Sequence, residues 1–320
     1  MMNSISPTKD QMLMLSACDS FWSSTEVSDE QMQLALVNRN GDTTPVDPSP
    51  KWFEGKKVLV VVHGFNSTID EIIHFFFHIK DHLQNPESLY HFVIGYVWPG
   101  HNHRLLYQCA RLNVGLCKER FQKNVRQLFK GNTPDVLGNS MGSRLVCEAL
   151  KTAQSKLLND FFLWAPAINA DDFEKEGEYE GVNTKCNHLF VYFSHRDSLL
   201  RFGYPLAELS MKSAMGYSGT AHVESLPENI KVVDATEIVS SHADYRFLGN
   251  VASTINKVAA VAQHCTLQKN GDIVPYQGRP TPHLINDFKT RLALLISFNK
   301  IARFVEFILK IQWRLHLQSR

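Results

Sequence analysis

The sequence predicts an α/β fold, a mostly parallel sheet with helices on both of its faces. Short apolar runs without alternation recur along the chain, the first in KKVLVVVHG from Lys56, and strands buried on both faces have this texture. Segments with helical spacing separate them, such as TIDEIIHFFFHIKDHL, and strands alternating with helices form parallel sheets. The 320 residues are 44% hydrophobic, enough for a sizeable core.

Taken in order, residues 1–50 are rich in Ser, Thr, Asp and Asn and end in GDTTPVDPSP. They are expected to be loosely structured, with one short helix around Gln11 to Leu15. KKVLVVVHG is the first strand, followed by a helix over TIDEIIHFFFHIKDHL. HFVIGYVWPG is a second buried strand, stopped by Pro99 and Gly100. Residues 103–130 predict a long helix, with Gly131 near its end. PDVLGN is a third strand and SRLVCEALKTAQSK a helix; DFFLWAPAI, HLFVYFSHRD and IKVVDATEI are three further strands. No internal repeat is visible. The chain therefore divides into an N-terminal segment (1–50), an α/β domain (51–265) and a C-terminal helical extension (266–320).

A formal charge of +1 and a pI near 7.7 provide no general pull toward nucleic acid, and none is expected as a partner. Six cysteines lie scattered without CxxC or Cys/His spacing. That argues against a metal site or a disulfide framework and suits a reducing compartment. No basic start leads into an apolar stretch, and no run of eighteen uncharged apolar residues occurs, so neither signal peptide nor membrane-spanning helix is expected. The expectation is a cytoplasmic protein without cofactor.

In parallel sheets, ligands bind beyond the carboxyl ends of the strands. There the sequence places His63-Gly64-Phe65-Asn66, Gly138-Asn139-Ser140-Met141-Gly142, His195-Arg196-Asp197 and Ser241-His242. A serine in a sharp strand-to-helix turn needs small neighbours two residues away on each side, and Gly138 and Gly142 hold those places. Met141 opens the next helix, so its N–H faces an oxyanion formed at Ser140. Gly64 lets the Phe65 N–H form a second arm. Asn66 either donates its amide or holds that loop, and Trp98 either lines the substrate pocket or sits in the core. His63, Gly64, Asn66 and Trp98 are thus the candidate substrate-binding residues. For the acid, Asp197 directly follows the penultimate strand, whereas Asp171 and Asp172 suit helix capping. For the base, His242 follows the last strand. His195 is too near the acid, His222 precedes the last strand and His264 sits in a helical stretch.

The segments HGFN, WPG, GNSMG and YFSHRD together resemble an uncharacterised, bacterial-type branch of the α/β-hydrolase superfamily, over about Lys56 to Arg246. The chain order Ser…Asp…His agrees with that fold. Asn139 departs from the His that usually precedes the serine there, at a position without a chemical role. The resemblance implies an α/β-hydrolase fold with Ser140 as nucleophile, Asp197 as acid and His242 as base, and no particular substrate.

The expected function is a serine esterase with a small-molecule acyl substrate, thioesters or amides coming second, acting through an acyl-enzyme on Ser140. The alternative is a catalytically idle hydrolase fold that binds at a membrane surface or in an assembly. The C-terminal segment keeps it open, because Lys300, Arg303, Glu306, Lys310 and Arg314 form a mostly basic stripe on an apolar helix. A helix over 287–318 of this kind lies on a membrane, pairs with a second subunit or covers the protein's own core.

Overall fold

A computed structural model of the protein describes residues 7–27, 32–85, 88–210 and 212–278. The anticipated strands of the α/β domain are β4 (Val58–Val62), β5 (Phe92–Val97), β6 (Asp135–Asn139), β7 (Asp160–Trp164), β8 (His188–Phe193) and β9 (Ile230–Asp234). They are preceded by β1 (Gln11–Ser16), β2 (Gln33–Asn38) and β3 (Thr43–Pro45), and followed by β10 (Cys265–Leu267) and β11 (Ile273–Pro275). All belong to one sheet, in the order β11-β10-β9-β8-β7-β6-β4-β5-β1-β2-β3. Neighbours from β1 through to β10 are parallel, and the pairs β1–β2, β2–β3 and β10–β11 are antiparallel.

The helices are α1 (Ile69–Leu83), α2 (Tyr107–Phe129), α3 (Met141–Thr152), α4 (Tyr204–Glu208), α5 (Met215–Ser218), α6 (Asp244–Phe247) and α7 (Gly249–Val261). They cover both faces. Val58, Val60 and Val62 of β4 pack with Val114 and Phe121 of α2 and Leu145 of α3. Leu59 and Val61 point the other way, to Phe76 of α1 and Ile255 of α7. A strand with a helix layer on each side has no solvent face, which is why its apolar run is unbroken. Thr68 and Glu71 start α1 with a reciprocal capping box.

Two expectations fail at the ends of the domain. The described part of residues 1–50 holds the three strands β1, β2 and β3, and QMLMLS is a strand instead of a short helix. It lies between β5 and β2, and the backbone pairing offered by β5 decides the conformation of a run too short to show its period. Lys80 of α1 fastens it from below, its buried ammonium donating to the carbonyls of Thr8, Lys9 and Gln11 at 2.7, 3.0 and 2.6 Å. At the other end, the extension expected to be helical from 266 begins with β10 and β11, which continue the sheet. The helix expected over 287–318, with its membrane or subunit contact, lies outside the described residues.

Candidate active site

Ser140 stands between β6 and α3 with φ 55° and ψ −116°, a strained conformation for a residue with a Cβ. Two glycines make the turn possible through closeness. A Cβ on Gly142 would lie 2.4 Å from the His63 carbonyl oxygen, and one on Gly138 would lie 2.7 Å from Ser143 Cα. The Ser140 N–H donates to Trp164 O at 2.8 Å, and Ser143 Oγ donates to Gly138 O at 2.6 Å. Among the described residues, Ser140 Oγ takes no hydrogen-bond partner.

The acid and the histidine come from two neighbouring strand ends, β8 and β9. Asp197 Oδ2 meets His242 Nδ1 at 2.6 Å, and Asp197 Oδ1 accepts the Leu200 N–H at 2.9 Å. The carboxylate is fully buried, while the imidazole is 15% exposed. Because Nδ1 donates to the carboxylate, Nε2 carries the free lone pair. The loop bearing His242 is organised by Asp244. Its carboxylate accepts the N–H and Oγ–H of Ser240 at 2.7 Å each, and those of Ser241 at 3.0 and 2.7 Å. Burial alone would raise the Asp244 carboxyl, but these hydrogen bonds outweigh it and hold it below the ordinary range. Ser194 Oγ, donating to Val239 O at 2.7 Å, ties the β8 loop to the β9 loop. Asp244 and Ser194 were not anticipated. A serine pair shortly before an acid (Ser240, Ser241, Asp244) is the one sequence signal for the first.

The competing candidates are engaged elsewhere. Asp171 pairs with Lys212 at 2.7 Å, and Asp172 accepts the Asn169 N–H at 2.7 Å. His222 pairs with Glu174 at 2.9 Å, and His264 Nδ1 accepts the Val232 N–H at 3.0 Å. His195 packs its ring against Phe193 and Tyr217.

The loop after β4 lies against the serine: a Cβ on Gly64 would come within 3.3 Å of Ser140 Cβ. Neither the Phe65 nor the Met141 N–H finds an acceptor among the described residues. Asn66 adopts φ 58° and donates its N–H to Gly100 O at 3.4 Å, a loop-holding geometry. His63 and Trp98, expected to contact substrate, are instead 2% and 1% exposed. His63 Nδ1 donates to Gly64 O at 2.8 Å, and Nε2 accepts the Trp98 N–H at 3.2 Å. Trp98 Nε1 donates back to His63 O at 2.8 Å, and the rings stack at 5.7 Å. Burial lowers the His63 pKa to about 4, so the ring is neutral at pH 7. Together they brace the loop.

Among the described residues, no cluster of His, Cys, Asp and Glu is arranged to hold a metal, and no helix is long and apolar enough to cross a membrane. No curated protein matches the chain. Among solved structures it is similar to a hyperthermophilic esterase from the archaeon Pyrobaculum calidifontis, at 14% identity over 72% of this chain and 80% of that one (TM-score 0.37). It is also similar to the Francisella virulence factor BioJ, at 13% identity over 94% of this chain and 86% of that one (TM-score 0.32). Residues 50–249, the stretch containing Ser140, Asp197 and His242, match the family described as alpha/beta hydrolase of unknown function (DUF900), and the chain belongs to that family.

Proposed function

We propose that the protein is a serine hydrolase that cleaves carboxylic esters, with thioesters or amides as related substrates, through an acyl-enzyme on Ser140. What carries the reading is the 2.6 Å contact between Asp197 and His242 on the sheet edge where Ser140 occupies its strained turn. His242 Nε2 takes the Ser140 hydroxyl proton as Oγ bonds to the substrate carbonyl carbon. The resulting oxyanion sits at the Phe65 and Met141 N–H groups, which the described residues leave without acceptors. Collapse breaks the bond to the leaving group, which departs with the proton from His242. Water then loses a proton to His242 and attacks the acyl carbon; the bond to Ser140 Oγ breaks, Oγ takes the proton back from His242, and the carboxylic acid leaves. Asp197 holds the imidazole and balances its charge in both halves.

A fluorophosphonate probe tests this directly, because an ordinary serine hydroxyl attacks phosphorus too slowly to be labelled. Labelling is expected to vanish in Ser140→Ala, fall steeply in His242→Ala and persist in Ser143→Ala and Ser241→Ala. Rapid labelling that survives Ser140→Ala overturns the assignment of the nucleophile. A folded wild type that takes no label favours an idle, binding-only fold. Turnover of p-nitrophenyl esters of graded acyl length then defines the acyl preference.

A further inference from the structure

Two elements that touch Phe65 and Asp197 expose large apolar side chains. Leu105 lies just before α2 and Leu112 and Leu116 along its start, and Leu199, Phe202 and Leu209 lie in the segment running from Asp197 to the end of α4. All six are between 51% and 70% exposed. Single exposed leucines are ordinary, but a cluster across two joined elements is not. The elements are joined by Glu208, whose carboxylate accepts the Tyr107 hydroxyl at 2.6 Å and pairs with Arg111 at 3.1 Å and the buried Arg144 at 2.9 Å. Gln108 donates to Ala207 O. Gln108, Leu112 and Leu116 follow one another at i, i+4 and i+8, so α4 covers one end of this stripe and leaves the leucines bare.

The surroundings of these side chains are basic. Arg104, Arg196 and Arg201 are exposed, and none has a carboxylate partner among the described residues. The Arg201 guanidinium stacks on Phe202 at 4.9 Å, placing charge directly on the apolar surface. Of the carboxylates on these elements, Glu208 is bound within the joint, and Glu119 lies one turn beyond Leu116, at the end of the stripe far from Arg104. Apolar side chains that immerse among headgroups, interspersed in the chain with arginines that have no described carboxylate partner, complement a negatively charged lipid surface.

We infer that this rim, formed by the start of α2 and residues 199–209, docks the protein on an anionic lipid bilayer. Docking there brings the bilayer to the mouth of the site. Leu200 donates to Asp197, and Tyr107 packs edge-on against Phe65 at 5.4 Å. That orientation rests on the proposed role of Ser140; the binding itself does not.

The test is co-sedimentation of the full chain with vesicles of phosphatidylcholine alone, or containing about 30% phosphatidylglycerol. Wild type and Ser140→Ala are expected to bind only the anionic vesicles, and less as salt rises. Leu112→Asp with Leu116→Asp is expected to lower binding by about tenfold or more, with hydrolysis of a short soluble ester unchanged. Arg196→Gln with Arg201→Gln keeps the apolar surface and is expected to weaken binding by about fivefold per arginine, with a flatter salt dependence. The inference is overturned if wild type binds neither vesicle or both equally, or if both double variants bind like wild type. It is also overturned if wild type is a dimer that Leu112→Asp with Leu116→Asp dissociates without any loss of vesicle binding, since the rim then serves a second copy of the chain. Loss of labelling without loss of binding would instead count against the proposed function alone.

Discussion

His63 and His242 each stand just beyond the carboxyl end of a parallel strand, within the same set of loops, yet their surroundings are opposite. Both nitrogens of His63 are engaged by backbone, Nδ1 by Gly64 O and Nε2 by the Trp98 N–H, and the ring is 2% exposed. It cannot gain a proton without losing a hydrogen bond in a site that disfavours charge. His242 has a carboxylate on Nδ1 and, among the described residues, nothing on Nε2. It can gain a proton there and have the charge balanced at once. The difference lies in what each nitrogen touches: two backbone partners make a brace, whereas one carboxylate and one open nitrogen leave a place for a proton.

The largest effect should fall on the His242 side. Asp197→Asn preserves shape but lets the imidazole turn to the wrong tautomer, and kcat is expected to drop by about 10⁴ with little change in Tm. Asp171→Asn and Asp172→Asn should change ester turnover far less. Should His63→Asn lower kcat as much as Asp197→Asn while leaving Tm untouched, the comparison collapses.

On the His63 side the readout is stability against pH. Its folded pKa of about 4 lies below the ordinary histidine value, so on acidification the unfolded chain binds the proton first. This contribution is complete above about pH 6.5 and is lost as pH falls toward 4, amounting to about 3 kcal/mol at the low end. Denaturant midpoints at pH 7 and 4.5 should diverge more in wild type than in His63→Asn.

Gly142→Ala probes the joint between the two regions, since the new methyl meets His63 O. A cost of about 1–3 kcal/mol is expected in denaturant unfolding, with slowed fluorophosphonate labelling as the turn shifts. The smallest effect is expected at the competing acid. Lys212→Ala removes the exposed partner of Asp171 and should change stability by about 0–1 kcal/mol, with labelling intact.

Much of the fold is legible in the sequence because parallel strands with helices on both faces leave unbroken apolar runs, and VLVVV, FVIGYV and HLFVYF are β4, β5 and β8. Ser140, Asp197 and His242 are singled out by their places after such runs, and the structure brings Asp197 against His242. What was not legible depends on partners distant in sequence. QMLMLS has no period that distinguishes strand from helix, and only β5 decides it. The brace of His63 and Trp98 joins residues 35 apart through backbone groups that any sequence carries. Asp244 was passed over because its role is to shape the loop that holds His242.

The ribbon β1–β3 lies before the stretch matched by the family, and it changes what the sheet presents to other molecules. Without it, β5 would end the sheet, a six-residue strand of buried apolar residues with one row of backbone groups unpaired. Such an edge is a template for another chain's strand and a starting point for aggregation. Among the described residues the sheet instead ends at β3 on one side and β11 on the other. Each is three residues long and finishes in a proline, Pro45 and Pro275, which has no N–H to offer an incoming strand. A chain cut back to the family-matched residues would therefore retain Ser140, Asp197 and His242 but expose its stickiest strand.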